Sequence, residues 1–238
     1  MSLFTYLPQD RHLALTRGKT LPERTTGSAL FADISGFTPL TEELTRSLGP
    51  RRGVEELTRK INTVYAGLIA EVERFGGSVI GFAGDAMTCW FDETMDSNGQ
   101  AGANSQSSAW RAVTAAFALQ TVLRQFPNMG LKVAVTTGPA RRLVVGDPKD
   151  KLWDSLAGHI ITSLSTAEHL ANRGDVVVDE ATYQALGERA QVDTWRIEAE
   201  ERFAVLAELT SAAPASPIAA PARVLSAEEL GAWVNTAV

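Results

Sequence analysis

Apolar residues occur along the chain in short continuous runs and in one long periodic stretch, and the two patterns predict different elements. The run SALFADI, residues 28–34, is too continuous for a strand with one solvated face, and a Ser-Gly turn signal follows it, which predicts a central strand. Between residues 54 and 75 the pattern predicts a long amphipathic helix that ends at Gly76 and Gly77. Its apolar positions, spaced by three or four, are Val54, Leu57, Ile61, Val64, Tyr65, Leu68, Val72 and Phe75.

Residues 76–91 read GGSVIGFAGDAMTCWF and place Gly84 and Asp85 between two apolar runs, which predicts a β-hairpin. The small polar residues 92–108 predict a surface loop. The later elements predicted by the same signals are, in chain order, an Ala-rich helix over 109–126, two strands over 132–138 and 141–147, a helix ending at Gly174, a strand over 175–179, a short helix capped by Asp179 and followed by Gly187, and two strands within 191–209.

This order mixes antiparallel hairpins with crossover helices, which predicts an α+β sandwich. Residues 25–209 form the predicted domain, and residues 1–24 are predicted to be an N-terminal arm. Residues 210–238 read as a Pro/Ala-rich linker and a short C-terminal helix, whose start carries a capping box made by Ser226 and Glu229.

Composition restricts the classes of function. With 238 residues, 45% of them hydrophobic and 21% charged, the chain can bury one sizeable core. A formal charge of -6 excludes a general basic field for DNA or RNA, so a nucleotide would have to be held locally, by metal or by backbone N–H groups. The single cysteine, Cys89, cannot form an intramolecular disulfide, which fits a reducing compartment, and no segment approaches the ~18 apolar residues of a membrane span. We therefore expect a cytoplasmic protein without nucleic-acid or membrane partners.

Two aspartates stand out because each follows or interrupts an apolar strand. Asp33 lies near the end of the first strand and Asp85 lies at the hairpin tip; each taken alone could be a turn residue. If the first strand pairs with the hairpin, however, the two carboxylates meet. Like charges so placed repel unless a cation lies between them, and Mg²⁺ binds one or two carboxylates together with substrate phosphates.

The residues after Asp33 add a possible phosphate site. Ser35, Gly36, Phe37 and Thr38 precede a helix predicted to start near Pro39. Their backbone N–H groups would point at an anion such as a triphosphate, and Gly36 permits close approach.

The composite of FADISGFTPLTE, the long helix and FGGSVIGFAGDAMTCWF resembles the catalytic domain of class III adenylyl and guanylyl cyclases over residues 25–209. Within that class it resembles the first catalytic half of soluble, bicarbonate-regulated adenylyl cyclases and of large bacterial cyclase-ATPase proteins. The resemblance implies a ferredoxin-like βαββαβ fold, a dimer with a shared site, and ATP or GTP as substrate. It also implies that Asp33, Asp85 and the Ile34 carbonyl hold two divalent ions, Mg²⁺ or Mn²⁺, and that neither carboxylate has a local basic partner.

The chain also departs from the pattern of that family. Gly81 stands where an active half carries a base-reading lysine. Thr162, Ser165 and Thr166 occupy the stretch where the family offers an asparagine and an arginine, and a hydroxyl cannot replace a guanidinium on phosphate charge. The same losses argue against regulation by bicarbonate.

Three hypotheses follow. The first is the metal-contributing half of a heterodimeric or tandem cyclase, inactive or weak when isolated. The second is a catalytically inactive cyclase-like domain that serves as a dimerisation or nucleotide-sensing module. The third is an aspartyl-phosphate loop with Asp33 as nucleophile, which Ser35 disfavours because that loop carries a second acid at this position.

Two further features are interpreted from their positions. Arg141 and Arg142 read as strand-end charges, although a phosphate role stays open because this region approaches the dimer interface in the family. Trp153 falls where the family places residues near the base pocket.

Overall fold

The computed structural model describes residues 7–93, 106–126, 128–221 and 223–233, so that most of the predicted surface loop, residues 94–105, lies outside the described residues. The strands are β1 (Arg24–Ser35), β2 (Ser78–Ala83), β3 (Ala86–Asp92), β4 (Gly130–Asp147), β5 (Lys151–Ala157), β6 (Val176–Asp179), β7 (Ala190–Glu198) and β8 (Glu201–Leu209). The helices are α1 (Gln9–Thr16), α2 (Phe37–Leu48), α3 (Pro50–Arg74), α4 (Ser108–Leu123), α5 (His159–Leu170), α6 (Glu180–Leu186) and α7 (Ala227–Gly231).

One sheet contains all of these strands. Its order is β2-β3-β1-β4-β6-β8-β7, with β5 paired to β4 beside this path. The pairing of β4 with β6 is parallel, and the other pairings are antiparallel. Strands β1 to β4, with α3 and α4 as crossovers, form the order β4-β1-β3-β2, which is the predicted ferredoxin-like βαββαβ core. A doubly wound parallel sheet, which the aspartyl-phosphate hypothesis requires, is not formed by the described residues.

The central strand β1 is buried on both faces. Leu30, Ala32 and Ile34 join the larger core, which includes residues of α3 and α4, whereas Ala29 joins the core beneath α5. This double burial explains why the apolar run of β1 is continuous rather than alternating. The sheet is therefore sandwiched between helices, as predicted.

Two predicted boundaries are wrong. Residues 132–138 and 141–147 do not form two strands, because they belong to the single strand β4, which pairs with β1 at least as far as Arg141. Strand β4 continues through Pro139, because a fixed φ near -65° is compatible with extended backbone. The true hairpin partner of β4 is β5, which the pattern did not predict, and α5 ends at Leu170 rather than at Gly174.

The interpretation of Arg142 as a strand-end charge is also wrong. Arg142 is only 4% exposed, and its guanidinium pairs with Asp10 of α1 and, at 3.1 Å, with Asp154 of β5. Arg11 of α1 donates to Asp154 Oδ2 at 2.8 Å, and Arg142 donates to both Asp154 oxygens. Burial alone would lower the pKa of Arg142, but the attraction of Asp10 and Asp154 outweighs it and raises that pKa.

Residues from both ends of the described chain pack against this ion network. Leu7, Leu225, Leu230 and Trp233 form a small buried cluster, and Arg11 lies 5.7 Å from the centroid of the Trp233 ring. The predicted capping box of Ser226 and Glu229 is present at the start of α7. Helix α1 is thus packed on the sheet, while the division of the chain at residues 24 and 209 stays a prediction. Within the described ranges, no helix is both long and apolar enough to cross a membrane.

Candidate functional site

Asp33 and Asp85 lie at the same end of two adjacent strands. In the register of β1 and β3, Asp33 is opposite Ala86, the residue after Asp85. The Ile34 N–H donates to the Asp85 carbonyl oxygen at 3.3 Å, which fixes the hairpin tip against the end of β1. Gly84, with a φ of 64°, supplies the left-handed conformation of this turn. The predicted juxtaposition of the two aspartates is present, and their role as metal ligands stays a prediction.

Tyr65 of α3 reports the charge of both carboxylates. Burial raises the pKa of its phenol, and the negative charges of Asp85 and Asp33 raise it further. The Tyr65 ring packs edge-to-face on Phe82 of β2, with 5.4 Å between the ring centroids. Because one phenol experiences both charges, the two carboxylates contribute to the same negative region beside α3.

The expectation that neither carboxylate has a local basic partner is wrong. Lys132 lies opposite Asp33 in the register of β1 and β4, and its Nζ is 3.2 Å from Asp33 Oδ2. The same ammonium contacts Glu168 Oε1 of α5. Hydrogen bonding to Glu168 raises the pKa of Lys132, burial opposes this, and Asp33 raises it again. One cation therefore bridges a strand carboxylate and a helix carboxylate.

The start of α2 has the form expected of an anion site. Helix α2 begins at Phe37, two residues earlier than predicted, and no side chain caps it. Gly36 has a φ of 104°, and an added Cβ would lie 2.3 Å from the Asn128 carbonyl oxygen, so this position requires glycine. The Ser35 hydroxyl donates to the Gly130 carbonyl at 3.4 Å, and Thr38 is exposed. Binding of a triphosphate by Ser35, Gly36, Phe37 and Thr38 stays a prediction.

Gly81 lies on β2, where the register with β3 shifts between Val79 and Gly81. A Cβ added at Gly81 would meet no atom within 4 Å. Space for a longer side chain therefore exists at this position. Steric exclusion of a Cβ therefore does not account for glycine at this position.

Helix α5 lies near Asp33, because its Glu168 contacts Lys132, which in turn pairs with Asp33. Ser165 and Glu168 line a cavity of about 180 Å³ together with Phe31 and Thr88 of the sheet. The Thr166 hydroxyl donates to the Thr162 carbonyl of its own helix at 3.2 Å. The three hydroxyl residues noted in the sequence thus offer no cation to a phosphate.

Trp153 lies elsewhere, on β5, where it is 51% exposed and faces the Lys151 ammonium, so its role at a base pocket stays a prediction.

The donor set fits a hard divalent cation only in part. The register of β1 and β3 brings Asp33 and Asp85 next to each other, and each carries a carboxylate, which is the ligand type that Mg²⁺ prefers. Over the described ranges, no group of three or more His, Cys, Asp or Glu side chains is placed to hold a metal ion. A cation at this pair would therefore take its remaining ligands from backbone carbonyls such as that of Ile34, from water and from substrate phosphates.

A ferredoxin-like core, two aspartates brought together by the pairing of β1 with β3, and an uncapped glycine-led helix start are the features that a nucleotide cyclase domain is expected to have. The sequence comparison gives the same answer over most of the chain. The chain belongs to the adenylate and guanylate cyclase catalytic domain family, whose family model matches residues 23–208.

Curated relatives are much longer than this chain. It is 26% identical over 186 residues to adenylate cyclase type 10 of Rattus norvegicus, which covers 76% of this chain and 11% of the relative. The corresponding protein of Homo sapiens is 26% identical over 168 residues, with coverage of 70% and 10%. The chain therefore spans about a tenth of the length of the curated relatives that it matches.

Solved structures share the fold at low identity. The guanylyl cyclase Cya2 superposes with a TM-score of 0.65 at 20% identity, covering 83% of this chain and 100% of that one. The adenylyl cyclase CyaB from P. aeruginosa gives 0.63 at 19% identity, with coverage of 80% and 98%. The guanylate cyclase domain of RhGC from Catenaria anguillulae, solved in complex with GTP, gives 0.61 at 18% identity, with coverage of 78% and 98%. At these identities the likeness establishes the fold.

Sequence reasoning missed three residues of the site. Tyr65 was assigned only to the apolar face of α3, and Glu168 was one polar residue of α5. Lys132 is a charged residue at the start of the apolar run KVAV, and that position alone assigns it no role. Its position beside Asp33 could be found only by pairing β1 with β4 in the correct register.

Proposed function

We propose that this domain is the metal-contributing half of a heterodimeric or tandem nucleotide cyclase, which converts ATP or GTP to the 3′,5′-cyclic nucleotide and pyrophosphate. The observation that carries the proposal is the juxtaposition of Asp33 and Asp85 across β1 and β3, tied by the bond from Ile34 to Asp85. A second cyclase-like domain would complete the site.

Asp33, Asp85 and the Ile34 carbonyl would hold two divalent ions, Mg²⁺ or Mn²⁺. When bound, such ions make the ribose 3′ hydroxyl easier to deprotonate and neutralise the charge of the triphosphate. The chain would orient the triphosphate through backbone N–H groups at the start of α2. Lys132 would place a further positive charge beside the phosphates, once it is released from Asp33.

Two features support a half site. Gly81 leaves no lysine to read the base, although the space beside it is open. Helix α5 offers the hydroxyls of Thr162, Ser165 and Thr166 but no guanidinium for the charge that develops on the transferred phosphorus. These groups would come from the partner domain, so that the isolated chain has little or no cyclase activity.

Complementation tests this proposal. The chain is assayed for cyclic nucleotide formation with Mn²⁺ and either ATP or GTP, alone and mixed with a cyclase domain that keeps its lysine, asparagine and arginine but lacks its own metal aspartates. We expect product only in the mixture, and its loss on Asp33→Ala or Asp85→Ala. Asp193→Ala, at an exposed carboxylate of β7, is the matched control. Product formed by the chain alone and unaffected by both site substitutions would contradict the proposal.

A second candidate is a catalytically inactive cyclase-like domain that dimerises or senses nucleotides. The ion pair between Lys132 and Asp33 favours it, because the Lys132 ammonium already neutralises one of the two carboxylates. In that case the chain would bind nucleotide with Mn²⁺ and yield no cyclic product in any mixture. The complementation assay separates the two candidates.

A further inference from the structure

Lys132 is shared between two carboxylates that belong to different elements. Its Nζ is 3.2 Å from Asp33 Oδ2 on β1 and also contacts Glu168 Oε1 on α5. The side chains of Lys132, Asp33 and Glu168 are 28%, 24% and 26% exposed, so water screens them only in part. The three charges sum to minus one, which leaves this cluster attractive to a further cation.

A divalent cation bound by Asp33 and Asp85 would conflict with the present position of Lys132. Both the ion and the ammonium would neutralise the same Asp33 carboxylate, and like charges at such a separation repel. The lysine stem has four flexible carbons, so the ammonium can move without a change of backbone. Glu168 is the other carboxylate already in contact with it, which gives the displaced ammonium a partner.

We propose that Glu168 is a positioning residue that retains Lys132 at the rim of the site when a divalent cation takes Asp33. Glu168 would lower the cost of releasing Asp33 and would keep the ammonium where a phosphate oxygen can reach it. This inference rests on the proposed metal site at Asp33 and Asp85. It assigns to Glu168 an action through Lys132 and no direct bond to the ion.

Mn²⁺ binding without nucleotide tests the first part. The free ion is titrated by electron paramagnetic resonance against the wild-type chain, Glu168→Gln, Lys132→Met and the double variant. Lys132→Met is expected to tighten Mn²⁺ binding about threefold to fivefold, because the competing ammonium is gone. This range corresponds to the free energy that partly exposed ion pairs contribute. Glu168→Gln is expected to weaken Mn²⁺ binding by a similar factor, because Lys132 then stays on Asp33.

The double variant separates positioning from simple charge. In the Lys132→Met background, Glu168→Gln is expected to change Mn²⁺ binding by less than about twofold, since no lysine remains to be positioned. Glu198→Gln, at an exposed carboxylate of β7, removes the same charge elsewhere and should leave the affinity unchanged. Glu168→Asp keeps the charge and should bind Mn²⁺ within about twofold of the wild type. Far-UV circular dichroism confirms that each variant is folded.

Inorganic triphosphate tests the second part. With Mn²⁺ saturating, we expect both Lys132→Met and Glu168→Gln to bind it several-fold more weakly than the wild type, and Glu168→Asp to restore binding. Equal effects of Glu168→Gln with and without Lys132 would overturn the positioning role, because Glu168 would then act on the ion by charge alone. A wild-type chain that does not bind Mn²⁺ would instead overturn the proposed metal site itself, so the two failures are distinguishable.

Discussion

At the scale of single residues, the site is made of charges that lie far apart in sequence and meet only through strand pairing. Asp33 and Asp85 are joined by the register of β1 and β3, and Lys132 is added by the register of β1 and β4. Glu168 comes from α5, which packs on the sheet over the core that contains Ala29. The result is a negative region with one built-in cation.

The phenol of Tyr65 provides a probe of that region. Its pKa is raised from 10.0, first by burial and then by Asp85 and Asp33. A raised folded-state pKa means that the stability contributed by this group is complete below about pH 10 and is lost as the pH rises through the folded value. We expect Asp85→Asn to lower the Tyr65 pKa toward 10.0 without reaching it, because burial remains.

Spectrophotometric titration of phenolate formation measures this shift. The chain has three tyrosines, so the titration of a Tyr65→Phe variant is subtracted from that of the parent to isolate Tyr65. Asp193→Asn serves as the control for a remote charge. An unchanged Tyr65 pKa in Asp85→Asn would show that the hairpin tip does not face α3 as described.

The juxtaposition of the two aspartates could be predicted from the sequence, whereas the position of Lys132 beside Asp33 could not. Asp33 and Asp85 each sit at a strand end beside a glycine turn, and their meeting requires only that the first strand pair with the hairpin. Lys132 has no local turn or motif, so its relevance depends on the exact partner residue across β4. Arg142 was missed for a similar reason, since its partners lie 132 and 12 residues away.

At the scale of elements, caps and buried ion pairs hold the parts of the sheet in place. Asp179 ends β6 and caps α6, where its side chain accepts from the Thr182 N–H at 2.9 Å and from the Thr137 N–H of β4 at 3.3 Å. Burial raises the pKa of Asp179, while the bonds from Thr182 and Thr137 lower it. One side chain thus links a helix start to the neighbouring strand.

Replacing Asp179 tests this link. Asp179→Ala removes both bonds and is expected to lower the free energy of unfolding by about 1–2 kcal/mol. Asp179→Asn keeps a capping oxygen and carries no buried charge, so it should cost clearly less. Urea denaturation of the two variants gives the comparison, and equal losses would contradict a capping role.

The network around Arg142 joins α1 to the hairpin of β4 and β5. Arg142→Met removes the guanidinium that pairs with the buried carboxylates of Asp10 and Asp154. Because uncompensated buried charge is costly, the free energy of unfolding should fall by about 3–5 kcal/mol. Arg141→Met, at the adjacent exposed position, should change it by no more than about 0.5 kcal/mol. Urea denaturation measures both, and a similar small effect for the two variants would contradict the structural role of α1.

Strong sequence patterns predicted most helices and strands correctly. Ambiguous patterns gave wrong predictions where tertiary contacts determine the bounds or the packing of an element. The periodic helix, the hairpin and the caps at Asp179 and Ser226 depend on local chemistry and are present. Strand β4 continues through Pro139 because its pairing with β1 spans that residue. The packing of α1 could not be predicted, because its buried charges Asp10 and Arg11 resemble those of a solvated arm until their partners are known.

At the scale of the whole molecule, the domain has the fold of its family, and it carries glycine at position 81, where the resemblance implies a base-reading lysine. Gly81→Lys tests whether the fold has room for a lysine side chain at this position of β2. Because no atom lies within 4 Å of an added Cβ, the variant should fold with a free energy of unfolding within about 1 kcal/mol of the wild type. Gly27→Ala is the contrasting control, since its Cβ would lie 2.3 Å from the Phe91 carbonyl oxygen.

The most direct measurement is Mn²⁺ binding in the presence of α,β-methylene ATP, an analogue that cannot be cyclised. Wild type, Asp33→Asn, Asp85→Asn and the control Asp193→Asn are titrated by electron paramagnetic resonance. We expect the two site variants to bind Mn²⁺ at least about tenfold more weakly, equivalent to ~1.4 kcal/mol, and the control to match the wild type. Equal affinity in all four proteins would show that Asp33 and Asp85 do not form a metal site.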